Sequence, residues 1–267
     1  MTYSLTDLIR KRISKLRLKE TAVLKDLNDF STREIHRTII QSKPFLKKIY
    51  EDYYLEFANV SMQCPGKGII LELGSGSGFL KETIPSALTS EISFTPTVDL
   101  ALDATQLPFR DESIRSVLLL GVLHHIKTPI LFFEELERCL EKHGRVFMVE
   151  PHNTPWSRYL LKNFHHELFD TQAGWTTQGD GHLSDANQAL PWIIFYRDRK
   201  RFEKDFPGLK IRRLKAQAPL RYVLSGGLSL KTLVPDKCYN LIKAVEWVLQ
   251  PLGRLCGYSM IIELEKI

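Results

Sequence analysis

Apolar positions Leu5, Leu8, Ile9, Ile13 and Leu16 recur at helical spacing, and IIQSKPFLKKIYEDYYLEF repeats that period after a break at Pro44. Residues 1–65 therefore read as a helical N-terminal extension. From Pro65 the texture changes to short apolar runs alternating with helical patterns. GIILELG, LTSEIS, VDLALDA, IRSVLLLG and RVFMVEP read as strands, with helices FLKETIPSA and ILFFEELERCLEK between some of them. Continuous apolar runs suit strands covered on both faces, so residues 66–267 are expected to form an α/β domain around a mostly parallel, doubly wound sheet. Gly144 falls where the helix before the fifth strand should be capped. Residues 151–206 carry no sustained period and read as an insertion. After it come LKIRRLKAQAPLRY, a helical stretch around CYNLIKAVEWVLQPL, and a final strand GYSMIIELEKI that suits an antiparallel edge.

Composition narrows the class. Hydrophobic residues make up 43% of the 267 and charged residues 25%, enough for a sizeable core and unlike a disordered chain. A formal charge of +6 falls short of a dedicated nucleic-acid surface, and DNA is not an expected partner. Arg10, Lys11, Arg12, Lys15, Arg17 and Lys19 make the first helix a basic amphipath, which can lie on an anionic membrane or form a solvated face above a core stripe. The segment Arg197–Arg221 holds ten Lys or Arg against three acids, a stretch that suits phosphates, RNA or anionic lipid, or solvated strand and helix faces. Four cysteines without CxxC spacing suggest neither zinc nor disulfides. The charge-free run Ser116–Ile126 is well short of the roughly 20 residues that span a bilayer. Charges also occupy the place of a signal peptide's apolar block, so the expected location is cytoplasmic, with peripheral membrane contact as an addition.

The sharpest chemical feature is ILELGSGSGFL, in which Glu72 ends a strand and Ser75 lies among Gly74, Gly76 and Gly78. Glycines permit a tight turn and close approach of a ligand to the backbone, and a helix beginning after them would offer free amides. The spacing is GxGxG, whereas a dinucleotide fingerprint would be GxGxxG; here Phe79 follows Gly78.

Motif I of the class I S-adenosylmethionine-dependent methyltransferases resembles this segment, and further motifs follow in order over residues 68–151. LPFRDESI, LLLGVLHHI and FFEELERCLEKHGRVFMVEP are similar to the methyltransferase type 11 branch that includes ubiquinone and menaquinone methyltransferases. The resemblance implies a seven-stranded Rossmann-like sheet, S-adenosylmethionine as methyl donor with S-adenosylhomocysteine as product, and a small, lipophilic acceptor methylated at oxygen, carbon or nitrogen. It places Glu91 at the ribose hydroxyls, Asp103 and Ala104 at the adenine, and Gly121 along the methionine side. Asp99 competes with Glu91 for the ribose, and Asp103 can equally cap a turn. Arg115 departs from the family's usual Asp.

Methyl transfer is an in-line displacement, so alignment supplies much of the catalysis, and a base is needed only when the acceptor must lose a proton. His124 and His125, at the carboxyl end of the fourth strand, are the candidate bases. His152, His165, His166 and His182 with Glu167, Asp170 and Asp185 crowd the insertion without clean ligand spacing, and no metal is expected. The insertion reads as an acceptor lid, with Trp156, Trp175 and Trp192 as walls and Asp185, Asn187 and Gln188 as anchors, or as a purely structural segment. Tyr50, Tyr53 and Tyr54 can close over the cofactor or fill the core. A non-catalytic cofactor-binding protein of this fold is the main alternative, and a nicotinamide-dependent oxidoreductase a weaker one.

Overall fold

The computed structural model describes residues 14–23, 30–165, 167–176, 186–217 and 219–267. Leu5 to Ile13 with Arg10, Lys11 and Arg12, and also His166, His182 and Asp185, lie outside the described residues.

Seven strands form one sheet: β1 (Ile69–Leu73), β2 (Leu88–Glu91), β3 (Leu100–Ala101), β4 (Ile114–Leu120), β5 (Leu140–Pro151), β6 (Leu209–Gln217) and β7 (Ser259–Lys266). Their order is β3-β2-β1-β4-β5-β7-β6, and all neighbours are parallel except β7, which runs antiparallel to both β5 and β6. This is the doubly wound, mostly parallel sheet expected from the sequence. Strand order reverses at the β1/β4 pair, so a crevice opens beyond their carboxyl ends.

Period-two alternation explains the apolar strand runs. Ile70, Leu118, Phe147, Val149 and Ile261 face one layer and Leu71, Val117, Leu119, Val146, Met148 and Ile262 the other. The first layer is supplied by α1 (Phe30–Ser42) and α2 (Pro44–Gln63), with Phe45, Leu46, Ile49, Tyr54 and Phe57 of α2 buried. Pro44 opens α2, where its missing N–H costs nothing. Phe57 meets Phe147 edge to face at 5.4 Å, a geometry worth about 0.5–1.5 kcal/mol beyond burial. The second layer contains α3 (Pro129–Cys139), whose Phe132, Phe133 and Leu136 are fully buried.

Four expectations are corrected. FLKETIPSA forms only a 3₁₀ turn, Leu80–Glu82, because Pro85 cannot donate to a helical carbonyl and its ring would clash there. The glycine loop therefore has no long helix behind it. Gly144 caps nothing: α3 ends at Cys139, β5 begins at once, and the left-handed residue is His143, with φ 63°. Gly144 is small because a Cβ there would meet Glu141 O at 2.8 Å and the β4 backbone at 3.1 Å. β7 is not the edge strand; it lies between β5 and β6. The insertion is largely built into the core: α4 (Pro155–Phe164) is closed by a Thr154–Ser157 capping box, and Ala189, Leu190, Ile193, Ile194 and Phe195 are fully buried.

Three further helices, α5 (Arg199–Asp205), α6 (Arg221–Ser225) and α7 (Tyr239–Val248), complete the C-terminal part. The basic stretch is internally paired: Arg199 with Glu203, Arg201 with Asp205, Arg212 with Glu265 and Arg213 with Glu263. Among the described residues no helix is long and apolar enough to cross a membrane.

Candidate active site

The glycine loop leaves β1 at Leu73 and is held from three sides. Gly74 adopts φ +64°, and a Cβ there would lie 2.6 Å from Val122. Gly78 packs under Tyr54, whose hydroxyl accepts the Phe79 N–H at 3.1 Å, so a Cβ would collide with that hydroxyl and with Ser75 O. α1 closes the loop from above: Arg37 Nη1 donates to Gly78 O at 2.8 Å, and Ser77 Oγ donates to Arg33 O at 2.8 Å.

Glu72 is buried, and its Oε2 accepts from Ser75 Oγ at 2.6 Å. Burial, with a smaller contribution from the charge of Glu91, pushes its pKa up to about 7. Glu91 ends β2 beneath the loop; Oε1 accepts the Gly76 N–H, and Oε2 lies 3.5 Å from Arg33 Nη2. The ribose candidate is thus already oriented by a backbone amide and a guanidinium. Asp99 is turned elsewhere, accepting from Lys81 Nζ at 2.5 Å and from Thr89 N and Oγ1 at 2.9 Å. Asp103 Oδ1 accepts from Thr105 N at 2.8 Å and Oγ1 at 2.7 Å, an Asx turn that presents Asp103 and Ala104 at the cavity wall. Gly121 follows β4 with φ 69° and faces the same space.

The two histidines are separated in role by their surroundings. His124 is buried behind the wall, its Nδ1 2.7 Å from Glu150 Oε2 and its Nε2 3.5 Å from Glu167 Oε2. Burial lowers its pKa, but the charge of Glu150, the bond to it and the contact with Glu167 outweigh that and raise it to about 10. These contacts favour the protonated imidazole. The other oxygen of Glu150 accepts the Val122 and Leu123 N–H groups at 2.8 Å each, so one buried carboxylate fixes both the turn after β4 and the imidazole. His125 does line the cavity, with Nε2 4.0 Å from Glu167 Oε1. Burial acts to raise the Glu167 pKa, yet the His124 contact and the neighbouring imidazoles hold it well below the usual carboxylate range. Gln188 Nε2 adds a 2.7 Å bond to Glu167 Oε2. Among the described residues, His124, His125 and Glu167 also bring three ligand atoms of metal-ligating types within 4.8 Å of one another.

Glu150 and Glu167 are the polar groups that sequence reasoning missed as site residues. Glu150 carried a signal, an acid at the carboxyl end of a strand in a parallel sheet; Glu167 carried none beyond its crowding with histidines. Of the lid candidates, Trp156 lines the cavity, whereas Trp175 is buried in the core and donates to Asp198 at 2.9 Å, and Trp192 packs against the core. Asn187 ties down the Asp170 backbone instead of facing the cavity. Tyr50 and Tyr54 reach the wall; Tyr53 is buried outside it. The cavity extends from the glycine loop to Trp156, Tyr222 and Tyr258, with a volume of about 1720 Å³. Ligand pockets usually run about 300–1,000 Å³, so this one has room for two ligands side by side.

Residues 71–148 match the family model described as a methyltransferase domain. No curated protein sequence matches the chain. The fold is similar to that of geranyl diphosphate C-methyltransferase from Streptomyces coelicolor, solved with Mg2+, geranyl diphosphate and S-adenosyl-L-homocysteine. That similarity has a TM-score of 0.52 at 10% identity, over 94% of this chain and 89% of that one. A possible histamine N-methyltransferase from Thermotoga maritima aligns with a TM-score of 0.49 at 15% identity, over 88% of this chain and 99% of that one.

Proposed function

Because the chain carries a class I, S-adenosylmethionine-dependent methyltransferase domain, we propose that it methylates a small, lipophilic acceptor held in the same cavity as the cofactor. The observation that carries this reading is one continuous space bounded at one end by the glycine loop, Glu91 and Asp103 and at the other by His125, Glu167 and aromatic side chains. The first end fits the cofactor. Glycine backbone lines it where side chains would intrude, Glu91 offers two oxygens for a cis-diol, and buried Glu72 lies beneath the methionine end. The bound cofactor supplies an electrophilic sulfonium methyl.

The protein's own groups supply alignment and proton handling. Tyr222, Tyr258 and Trp156 give the acceptor flat apolar walls, which limits its orientations and excludes water. Glu167 and His125 form the polar edge. Glu167 lies against His124 and His125, and His125, which lines the cavity, would accept a proton from a hydroxyl or acidic carbon. The roles of Gly74, Ser75, Gly76, Gly78, Asp103, Ala104 and Gly121 are backbone and edge contacts to the cofactor.

Calorimetric titration with S-adenosylmethionine and S-adenosylhomocysteine tests the cofactor half, with NADH as the control. Wild-type binding should weaken about 10- to 100-fold in Glu91→Ala, the worth of a charge-assisted hydrogen-bond pair, and disappear in Gly76→Val. Equal affinity in Glu91→Ala would refute its ribose role. Turnover of lipid-soluble acceptors lost in His125→Ala and Glu167→Gln, with cofactor affinity retained, is the expected result for the acceptor half.

A further inference from the structure

α7 carries an apolar stripe on its outer face as well. A helix on a globular surface turns its apolar stripe to the core and its charges to water. Here the inward residues are Tyr239, Ile242 and Glu246; Ile242 and the Tyr239 ring pack on the core, while the Tyr239 hydroxyl and Glu246 enter a polar network. Glu246 pairs with Arg221 and accepts the Leu220 and Arg221 N–H groups at 2.9 and 2.7 Å, while the Tyr239 hydroxyl meets Asp52 at 2.6 Å. Outward stand Leu241, Ala244, Val245 and Val248, at i, i+3, i+4 and i+7, so the period that should mark a core face marks the exposed one. Leu252 and Leu255 in the next turns are also exposed, and Trp247 is 79% exposed. Monomeric proteins do not leave such a patch without a use.

Charge selects the occupant. Between residues 237 and 256 the exposed charged side chains are Lys237, Lys243 and Arg254; Lys243 is held by Asp52 at 2.8 Å, the exposed Asp236 at the segment's start accepts the Phe45 N–H, and the segment's one acid, Glu246, is buried and paired. A two-fold contact with a second copy would bring these cations together, whereas anionic lipid headgroups complement them. Tryptophan flanked by cations beside an aliphatic stripe is also the composition of a helix lying in a membrane interface. Earlier in the chain Leu16 and Leu18 pair with Ser229 and Lys231, and Lys15, Arg17, Lys19 and Lys231 are exposed against one exposed acid, Glu20. Leu230 and Leu233, between that pairing and α7, line the cavity.

We propose that α7 and the turns to Leu255 form a monotopic membrane-docking surface, which lies on anionic bilayers with Leu241, Val248, Leu252 and Leu255 inserted and Lys237 and Arg254 at the headgroups. The inference stands on the helix itself and goes beyond the acceptor reading, to which it adds a source, since a lipid-soluble acceptor would enter from the bilayer.

The test is co-sedimentation of the full chain with vesicles of phosphatidylcholine alone and with about one third phosphatidylglycerol. Binding to the anionic vesicles, with a blue shift of tryptophan emission, is expected. Trp247→Ser and the double variant Leu241→Ser with Val248→Ser should abolish it, and Lys237→Gln and Arg254→Gln should each weaken it about 5-fold at low salt. These side chains are solvent-exposed, so folding is retained and checked by circular dichroism. Absence of vesicle binding, or binding unchanged in Trp247→Ser and the double variant, overturns the proposal. Concentration-dependent dimerisation lost in those variants, without vesicle binding, assigns the surface to a second copy and equally overturns it. S-adenosylmethionine titration in the same samples separates this failure from failure of the methyltransferase reading.

Discussion

Replacing Glu150 by Gln tests the idea that His124 is a buried cation. The carboxylate accepts three bonds, from Val122 N, Leu123 N and His124 Nδ1. Glutamine keeps one oxygen for the two amides, so the turn after β4 survives, but it removes the charge that holds the imidazolium. In the wild type Glu150 and Glu167 overcome the burial penalty and push the His124 pKa up from the usual 6.5 to about 10. A group raised in this way stabilises the fold fully below pH 6.5, and the contribution drains away as pH climbs through 10. Breaking a buried charged pair costs about 3–5 kcal/mol in measured cases. Urea unfolding of wild type and Glu150→Gln from pH 6 to 10 reads this out. The wild type should be more stable by about 3–5 kcal/mol at pH 6.5, and the gap should close by several kcal/mol toward pH 10. Titrations of other groups cancel in the difference. Parallel stability curves would refute the imidazolium.

Two further outcomes follow from the glycine loop. Buried Glu72, with its pKa near 7, should be ionised by a cationic ligand above it, so affinity for S-adenosylmethionine should rise about tenfold from pH 6 to 8 and become flat in Glu72→Gln, measured by calorimetry. Gly78→Ala forces a methyl against the Tyr54 hydroxyl and Ser75 O, and urea unfolding should show a loss of about 1–3 kcal/mol, part of which Tyr54→Phe recovers in the double variant.

Local periodicity and turn chemistry determined much of this protein before any coordinates. The apolar runs of β1, β4 and β5 had to be strands covered on both sides, and Pro44 had to break the N-terminal helices. Gly74, Gly76 and Gly78 after an acid at a strand end marked a tight loop open to a ligand, while the places of Glu91 and Asp103 came only with the family resemblance. Those features depend on neighbours a few residues away, where propensity and spacing act directly. What escaped depends on distant partners. FLKETIPSA carries a helical pattern that Pro85 overrules, and the final strand enters the middle of an antiparallel pair because β5 and β6 offer open edges on both sides of it. His124 and His125 are adjacent in sequence, yet only tertiary packing decides that one is clamped between Glu150, 26 residues later, and Glu167, while the other faces the cavity. The outward stripe of α7 is the sharpest case. Its period reads as a core face, yet the residues turned inward are Tyr239, Ile242 and Glu246, over Phe45, Asp52 and Arg221. Sequence spacing determines which residues share a face; the partner across the fold determines which face is inside.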